Sequence, residues 1–545
     1  MSSKSKLWLA LIFLSVVALR LIIAFQTQGL DYEAYSVLRQ VENIHNTGLP
    51  LFNDTLSYSG RTQIFSPVYH YFLASFTFFF PTQIVAKVIP NILASLIVII
   101  VFFFALYFTK DELPALVIAG LSGIIPVFFD KTINSASIYT AVIPAFFMTA
   151  YFFVLTYKDN KHIWALLFSM VLLTFLHPFS IILVFCMLIY ILLINIENFR
   201  KSYRETELVL FFLFFVFWAN MTIYKRALLA HGDMVLFQNI PVEIVANSFK
   251  NITFLESIYA IGVVPLIFGL ITIYFAFFVS NSKSLMLGAS ISTGIFILLW
   301  FKLINLDIGL IFLSISLIIL ASYSIGKTYE RMKMVKLKNT QLYFLILLIV
   351  ISVGMFIPSV VSSNHQTLDQ NDMDALLWMR NNTEENAVIL ALPEEGSALS
   401  YVSGRKNVMD DNYILIKNID ARYRDVSSIY SDKFITTALE KLNYYSVDYI
   451  FLSEYNQIKN NISDLGVYDD SCFEIVYPEI FTEQFLDRNL ASIQINADQD
   501  VNAENNSSML NGSATINMPN YYLEGTMHIP KIYRVKCKLS LKSGR

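Results

Sequence analysis

Apolar runs long enough, or nearly long enough, to cross a lipid bilayer recur along the first two thirds of the chain. They occupy residues 7–25, 88–108, 113–129, 138–156, 163–177, 178–196, 207–225, 258–280, 285–301, 306–325 and 340–358. Since roughly 20 apolar residues span the hydrocarbon core, the pattern predicts a polytopic α-helical membrane domain with about 11 spans. One further apolar segment, 67–80, is shorter, and the placement of Lys and Arg decides its role. Arg200, Lys201 and Arg204 form one basic loop; Lys327, Arg331, Lys333, Lys336 and Lys338 form another. Both belong on the cytoplasmic side. Counting outward from them puts the N-terminus inside and residues 26–66, Asp130, His177 and 226–257 outside. That parity fails if 67–80 crosses the membrane, so 67–80 reads as a juxtamembrane helix on the outer face. The first run follows Lys4 and Lys6 and is succeeded by Gln26-Thr27-Gln28 in place of a small-residue cleavage site, so it reads as an uncleaved first span.

After residue 358 the pattern changes, and no later run is able to span. Residues 369–380 read as a helix entered through Asp369, 387–392 (AVILAL) as a strand closed by Pro393-Glu394-Glu395-Gly396, 433–445 as a helix and 447–452 (VDYIFL) as a strand. The stretch 495–515 is polar and poor in aromatics and reads as a mobile loop. The chain therefore divides into a membrane domain, 1–360, and a C-terminal α/β extracytoplasmic domain, 361–545, delivered outside by the last span. The expected localisation is the cell membrane, multi-pass, with the N-terminus cytoplasmic.

Composition supports the lipid solvent. Only 15% of the 545 residues are charged, against about 25% in soluble domains, and the mean hydropathy is +0.55. A net charge of −3 implies no polyanion, and hence no nucleic acid, as partner. Of the three cysteines, Cys186 lies in an apolar run, and Cys472 and Cys537 are able to pair if their domain is extracytoplasmic. No GxxxxGK[ST] loop, HExxH or CxxC motif occurs, and no span carries a regular arginine series.

The candidate chemistry collects at the outer face. In the first outer loop Asp31 and Glu33 lie just past the first span, followed by an amphipathic helix to Asn46 and a turn at Gly48-Leu49-Pro50. A carboxylate held beside lipid has a raised or partner-dependent pKa, which suits a general base. Asp130 opens a second outer loop, DKTINSAS; paired with Lys131 it is equally a solvated loop carboxylate. His177-Pro178 interrupts a long apolar stretch, either as a functional ionisable group or as the cap of a tight turn. Arg61 is suited to bidentate contact with a phosphate, or to snorkelling. Arg405 and Lys406 read as an exposed turn, and Lys302 and Asp307 as the ends of a short loop.

The motif Asp31-Tyr32-Glu33-Ala34-Tyr35 with Gly48-Leu49-Pro50, the segment Ser66-Pro67-Val68-Tyr69-His70-Tyr71-Phe72-Leu73-Ala74 and the second-loop Asp130 resemble the GT-C superfamily of membrane glycosyltransferases. That superfamily includes protein O-mannosyltransferases and aminoarabinose transferases, and the resemblance is to members of archaeal type. Its motifs are short and degenerate, and cover 1–200 in pattern and the rest in architecture. Ala375 to Tyr413 also looks like the corresponding stretch of oligosaccharyltransferase catalytic subunits. Here, however, Leu392-Pro393-Glu394-Glu395-Gly396 stands where that family has Trp-Trp-Asp-x-Gly, which argues against en bloc transfer to Asn. The resemblance implies a hexosyl- or pentosyltransferase moving a sugar, with inversion, from a polyprenyl-phosphate-linked donor to a lipid, glycan or protein acceptor at the outer face. It implies Asp31, Glu33 and Asp130 as catalytic residues and Arg61 and His177 as donor phosphate-binding residues. No cofactor is required by the sequence, and a divalent cation, Mg or Mn, is compatible with the carboxylates. Two other classes fit the span pattern. One is a transporter or flippase of lipid-linked saccharides, which predicts charged or broken spans at mid-membrane; the runs here are almost uniformly apolar there. The other is a non-catalytic anchor, which needs far fewer spans.

Overall fold

The computed structural model describes residues 2–537 except 157–158, 198, 200–202, 233–234, 236–237, 281, 335–338, 364–366, 431, 433, 467–470 and 479–528. The expected loop at 495–515 lies outside the described residues. Two compact units emerge. One comprises Met1–Asp54, Arg61–Leu368 and Asp411–Ala421; the other comprises Thr55–Gly60, Asp369–Asp410 and Arg422–Arg545.

The first unit is helical, and its helices follow the apolar runs. Among the described residues seven helices are long and apolar enough to cross a membrane: Ser3–Ala24, Thr82–Thr109, Tyr139–Thr156, Tyr203–Ile223, Lys283–Trp300, Leu306–Lys333 and Thr340–Val361. Phe254–Ile261 and Val263–Phe278 together make an eighth, bent by 89°. Three shorter apolar helices, Glu112–Ser122, Asn160–Leu176 and Ser180–Ile196, fill the remaining runs of the pattern. The protein is therefore a multi-pass membrane protein with a C-terminal α/β region. Pattern and structure differ at 258–280, which reads as one span. Gly262 has φ +90°, a conformation that glycine adopts without steric cost, and the helix turns there. The segment 67–80 forms the helix Val68–Thr77, whose 10 residues are too few to cross.

Burial sorts the spans. Within its most apolar window Leu306–Lys333 is 83% buried, whereas Tyr203–Ile223 and Thr340–Val361 are 22% buried. The first is thus the central helix of the unit. The other two present Phe214, Phe217, Trp218, Leu347 and Val350 outward, as lipid-facing surfaces do.

The second unit is α/β. Within the loop after the first span the short strands β1 (Asn53–Asp54) and β2 (Arg61–Thr62) pair antiparallel in the membrane unit. The α/β sheet has the order β4-β3-β5-β7-β6, formed by β3 (Val388–Leu390), β4 (Lys406–Asn407), β5 (Tyr449–Leu452), β6 (Phe473–Tyr477) and β7 (Lys531–Val535). β3 pairs parallel with β4 and β5, and β7 pairs antiparallel with β5 and β6. β3 and β5 are buried at every residue, which explains their unbroken apolar runs. The expected helix at 369–380 is Gln370–Asn382, and Asp369 caps it by accepting from the Asn371 N–H at 3.1 Å. Ile435–Tyr444 forms within 433–445.

Arg405 is buried and is not an exposed turn. Its guanidinium donates to the Arg380 and Thr383 carbonyls at 2.7 and 2.9 Å, satisfying the C-terminal end of that helix. Thr55–Gly60 joins this unit because Asn407 holds it. The Asn407 carboxamide oxygen accepts from the Tyr58 N–H at 2.7 Å, and its backbone N–H donates to the Leu56 carbonyl at 2.9 Å.

Cys472 and Cys537 form a disulfide across 65 residues of sequence. Replacing Cys472 with serine is expected to lower the stability of the α/β unit by roughly 2–4 kcal/mol. The check is a thermal melt followed by tryptophan fluorescence. Reductant should lower the wild-type transition to that of Cys472→Ser and leave the variant where it is.

Candidate active site

The chain reaches Asp31 along a path fixed by buried polar contacts. The first span ends at Ala24, and the Lys87 ammonium closes that end by donating to the carbonyls of Ala24, at 3.2 Å, Thr27 and Gln28, at 3.1 Å. A cation at a helix C-terminus offsets the unsatisfied carbonyls and the negative end of the dipole. One turn before that end, Arg20 is wholly buried. Its Nε donates to Asn91 Oδ1 at 2.9 Å and its Nη2 to Thr132 Oγ1 at 2.6 Å, with the rings of Phe128 and Phe129 against its guanidinium. Asn91 Nδ2 in turn donates to the Ile133 carbonyl at 2.8 Å. The loop that follows Asp130 is thereby tied to two spans.

Asp31 itself is held on both sides. Its backbone N–H donates to the Asn134 carbonyl at 3.2 Å, and it forms an antiparallel bridge with Thr367 beyond the last span. Next to it the Leu368 N–H donates to the Leu30 carbonyl at 3.0 Å. The approach is so close that a Cβ on Gly29 would overlap the Leu368 carbonyl oxygen.

Electrostatics draws four of the loop residues together. Burial raises the Asp31 carboxyl most, the Glu33 carboxylate raises it further, Lys131 opposes and Asp130 adds; the outcome is a pKa pushed up to about 8. Burial disfavours charge on Lys131, but Asp307, Asp130 and Glu33 outweigh it and hold its ammonium above the ordinary value. Lys131 Nζ lies 3.7 Å from Asp130 and 3.4 Å from Asp307. Asp31 is half-buried and Glu33 exposed.

The sequence places Arg61 and His177 with this group, whereas the groups that shift the Asp31 carboxyl are Glu33, Lys131 and Asp130. Arg61 sits in β2 opposite Asp54, and its guanidinium donates to the Asn412 carbonyl. His177 occupies the turn between two apolar helices, edge-on to Tyr139 and Phe179 at 5.3 and 4.6 Å between ring centroids. Desolvation there keeps its imidazole below the ordinary value, so it is neutral at physiological pH and offers a hydrogen bond rather than a charge. Its Nδ1 accepts from the Phe179 N–H at 3.3 Å, and the Tyr139 ring beside it feels the Glu33 charge.

Sequence reasoning missed three members of the site. Lys131 reads as the plain partner of Asp130, although its position between two carboxylates is the informative fact. Asp307 reads as a loop end, yet it lies in the first turn of Leu306–Lys333, which Asn305 caps by accepting from the Asp307 N–H, and its carboxylate reaches Lys131. Asn134 carries no signal in an Asn-rich chain. Among the described residues no group of three or more His, Cys, Asp or Glu side chains is gathered to hold a metal ion. Carboxylate oxygens are the donors Mg and Mn prefer, but the cation seated among these carboxylates is the Lys131 ammonium. The residues as placed do not form a ready metal site, and no step below runs through a metal.

These elements have solved counterparts. The Archaeoglobus fulgidus oligosaccharyltransferase in complex with Zn and sulfate superposes with a TM-score of 0.61 at 15% identity, covering 81% of this chain and 68% of that one. Archaeal AglB from Archaeoglobus fulgidus, with an inhibitory peptide and a dolichol-phosphate, gives 0.60 at 14%, covering 84% and 70%. ArnT from Cupriavidus metallidurans bound to undecaprenyl phosphate gives 0.51 at 11%, covering 83% and 94%. No protein-family model matches the sequence, and no curated protein matches it either. AglB and ArnT are both GT-C glycosyltransferases, and the fold of this chain is the GT-C fold. It combines a multi-pass membrane region with a C-terminal α/β region.

Proposed function

We propose that this protein is an inverting membrane glycosyltransferase that moves a sugar from a polyprenyl-phosphate-linked donor to an acceptor at the extracytoplasmic face. The acceptor is a lipid, glycan or protein hydroxyl, and the sugar a hexose or pentose. The observation that carries the reading is the Asp31 carboxyl. It is raised to about 8 by burial and by Glu33, against the opposing charge of Lys131 on the second loop, and lies in the loop after the first span of a GT-C fold. The neighbours solved with dolichol-phosphate and undecaprenyl phosphate support the class of donor. The disulfide supports an extracytoplasmic α/β region.

In the proposed reaction the acceptor oxygen bonds to the anomeric carbon, and the bond from that carbon to the phosphate oxygen breaks. Asp31 takes the acceptor proton, and polyprenyl phosphate leaves with the electron pair. A base with a pKa near 8 is well matched to a hydroxyl proton at neutral to mildly alkaline pH. The leaving phosphate needs no acid, but its charge needs a cation, and Lys131 supplies one on the same loop as Asp130. Glu33 and Asp130 hold Lys131 charged and orient the acceptor. Arg61 and His177 are proposed as the outer contacts of the donor phosphate.

The test uses the purified full chain in sealed vesicles containing undecaprenyl phosphate linked to radiolabelled hexoses or pentoses, with a membrane extract as acceptor. The incubations contain Mg, Mn or chelator. Free undecaprenyl phosphate and label on a new product are expected for at least one sugar. Label that crosses the bilayer with its phosphate ester intact would establish the flippase reading and overturn this one.

A further inference from the structure

Lys131 is the cation that the proposed chemistry offers to the leaving phosphate, and carboxylates already engage it. Its Nζ lies 3.7 Å from Asp130 and 3.4 Å from Asp307. Burial opposes the ammonium charge, and of the carboxylates that restore it Asp307 contributes most.

The two carboxylates are held differently. Asp130 precedes Lys131 in the chain, and its side chain is 14% exposed. The Asp307 side chain is 47% exposed and comes from the first turn of Leu306–Lys333, the most buried of the seven long apolar helices. That helix has its cap without the Asp307 carboxylate, because the Asn305 side chain accepts from the Asp307 N–H at 3.0 Å. An acid in a first turn adds modestly to helix stability, and an exposed ion pair adds little to folding. A water-accessible carboxylate on a rigid helix, facing a cation on a loop, is the partner that a competing anion displaces.

Transfer changes the anion that Lys131 faces. The donor is a phosphate diester with a single negative charge. Once the bond from the anomeric carbon to the phosphate oxygen has broken, the product is a polyprenyl phosphate monoester. Its second ionisation lies at about pH 6, so it carries roughly −1.5 to −2 at neutral pH. A cation alone therefore holds the product more tightly than the donor.

We propose that Asp307 is a product-release residue: its carboxylate yields Lys131 to the phosphate of the arriving donor and recaptures it from the polyprenyl phosphate that transfer leaves behind. This rests on the glycosyltransferase reading above. Asp307 touches no reacting atom and acts through Lys131. Its repulsion grows with the charge of the phosphate, so it opposes the product more than the donor.

The experiment uses the purified full chain and compares wild type with Asp307→Asn, Asp307→Ser and Asp307→Glu. Undecaprenyl phosphate is the product probe, and the donor is the sugar-bearing lipid that wild type uses. An exposed pair is a weak competitor, so removing the charge should lower the Ki of undecaprenyl phosphate by about 5-fold. The donor KM should fall less. The first turnover should keep its wild-type rate while later turnovers slow, because release has become limiting. Asp307→Glu should behave as wild type. In a Lys131→Gln background, where no ammonium is left to compete for, adding Asp307→Asn should lower the Ki far less. An unchanged Ki in both uncharged variants overturns the proposal. So does a Ki lowered equally with and without Lys131, which leaves general repulsion alone, or an equal fall in Ki and donor KM, which makes Asp307 a gate to binding. A first turnover slowed in step with the later ones would put Asp307 in the chemistry and also overturns it. Thermal midpoints control for folding, and Asp307→Ser carries the test if Asp307→Asn melts early. If wild type releases no undecaprenyl phosphate from any donor, the glycosyltransferase reading falls too, whereas wild-type turnover with unaltered variants removes only the role of Asp307.

Discussion

Asp31→Asn is expected to abolish measurable sugar transfer while leaving a protein that folds at least as well as wild type. A positioned general base contributes roughly 10²–10⁴-fold to rate, and an asparagine of the same shape accepts no proton. The loss should fall on kcat. The stability half of the prediction follows from linkage. The folded-state pKa of about 8 lies above the ordinary value of 3.8, so between about pH 4 and 8 the folded chain binds a proton that the unfolded chain has released. Stability therefore falls as pH rises across that window and levels off above it. Asparagine carries no such proton, and the variant should melt higher than wild type at pH 8 and close to it near pH 4. The wild-type rate should climb about tenfold per pH unit below pH 8 and flatten above, since only the carboxylate acts as base. Transfer retained in Asp31→Asn at matched protein levels would remove Asp31 from the chemistry. A variant that melts lower than wild type at pH 8 would remove the burial argument.

Gly29→Ala should cost about 10²-fold in kcat without touching any reacting group. The added Cβ meets the backbone of Leu368, which has no flexible end to move aside, so either the first outer loop or the strand-like segment at 367–368 must shift. Both carry Asp31, one covalently and the other through the bridge at Thr367 and the Leu368–Leu30 hydrogen bond. A displacement of ~1 Å at a reacting group is enough for a loss of that size. The informative control is the pH profile. If Gly29→Ala only displaces Asp31, the rate falls while the rise toward pH 8 stays. A variant with wild-type kcat would mean that the close approach at Leu368 does not set the position of the base.

Much of this was legible in the pattern of residues. The eleven apolar runs, the non-crossing segment at 67–80 and the entry into an α/β region after 358 each recur in the fold. The reason is that apolar length is a local quantity that lipid reads directly. The departure at Gly262 was not legible, because a glycine in an apolar run is compatible with a straight span as well as a bend. Arg405 shows the same limit. Its sequence context, Ser403-Gly404-Arg405-Lys406, is that of a surface turn, and only the position of the preceding helix end shows where its charge goes.

The site divides along the same line. Sequence alone determined that Asp31, Glu33 and Asp130 lie on loops between helices, since each follows the end of an apolar run. Only the tertiary structure decided that Asp130 brings Lys131, that Asp307 arrives from a distant helix, and that His177 is set among aromatic rings. These facts depend on which residues distant in sequence share a few ångströms of space and how much water is left between them. Charge coupling and desolvation are properties of that space, and no local pattern along the chain encodes them.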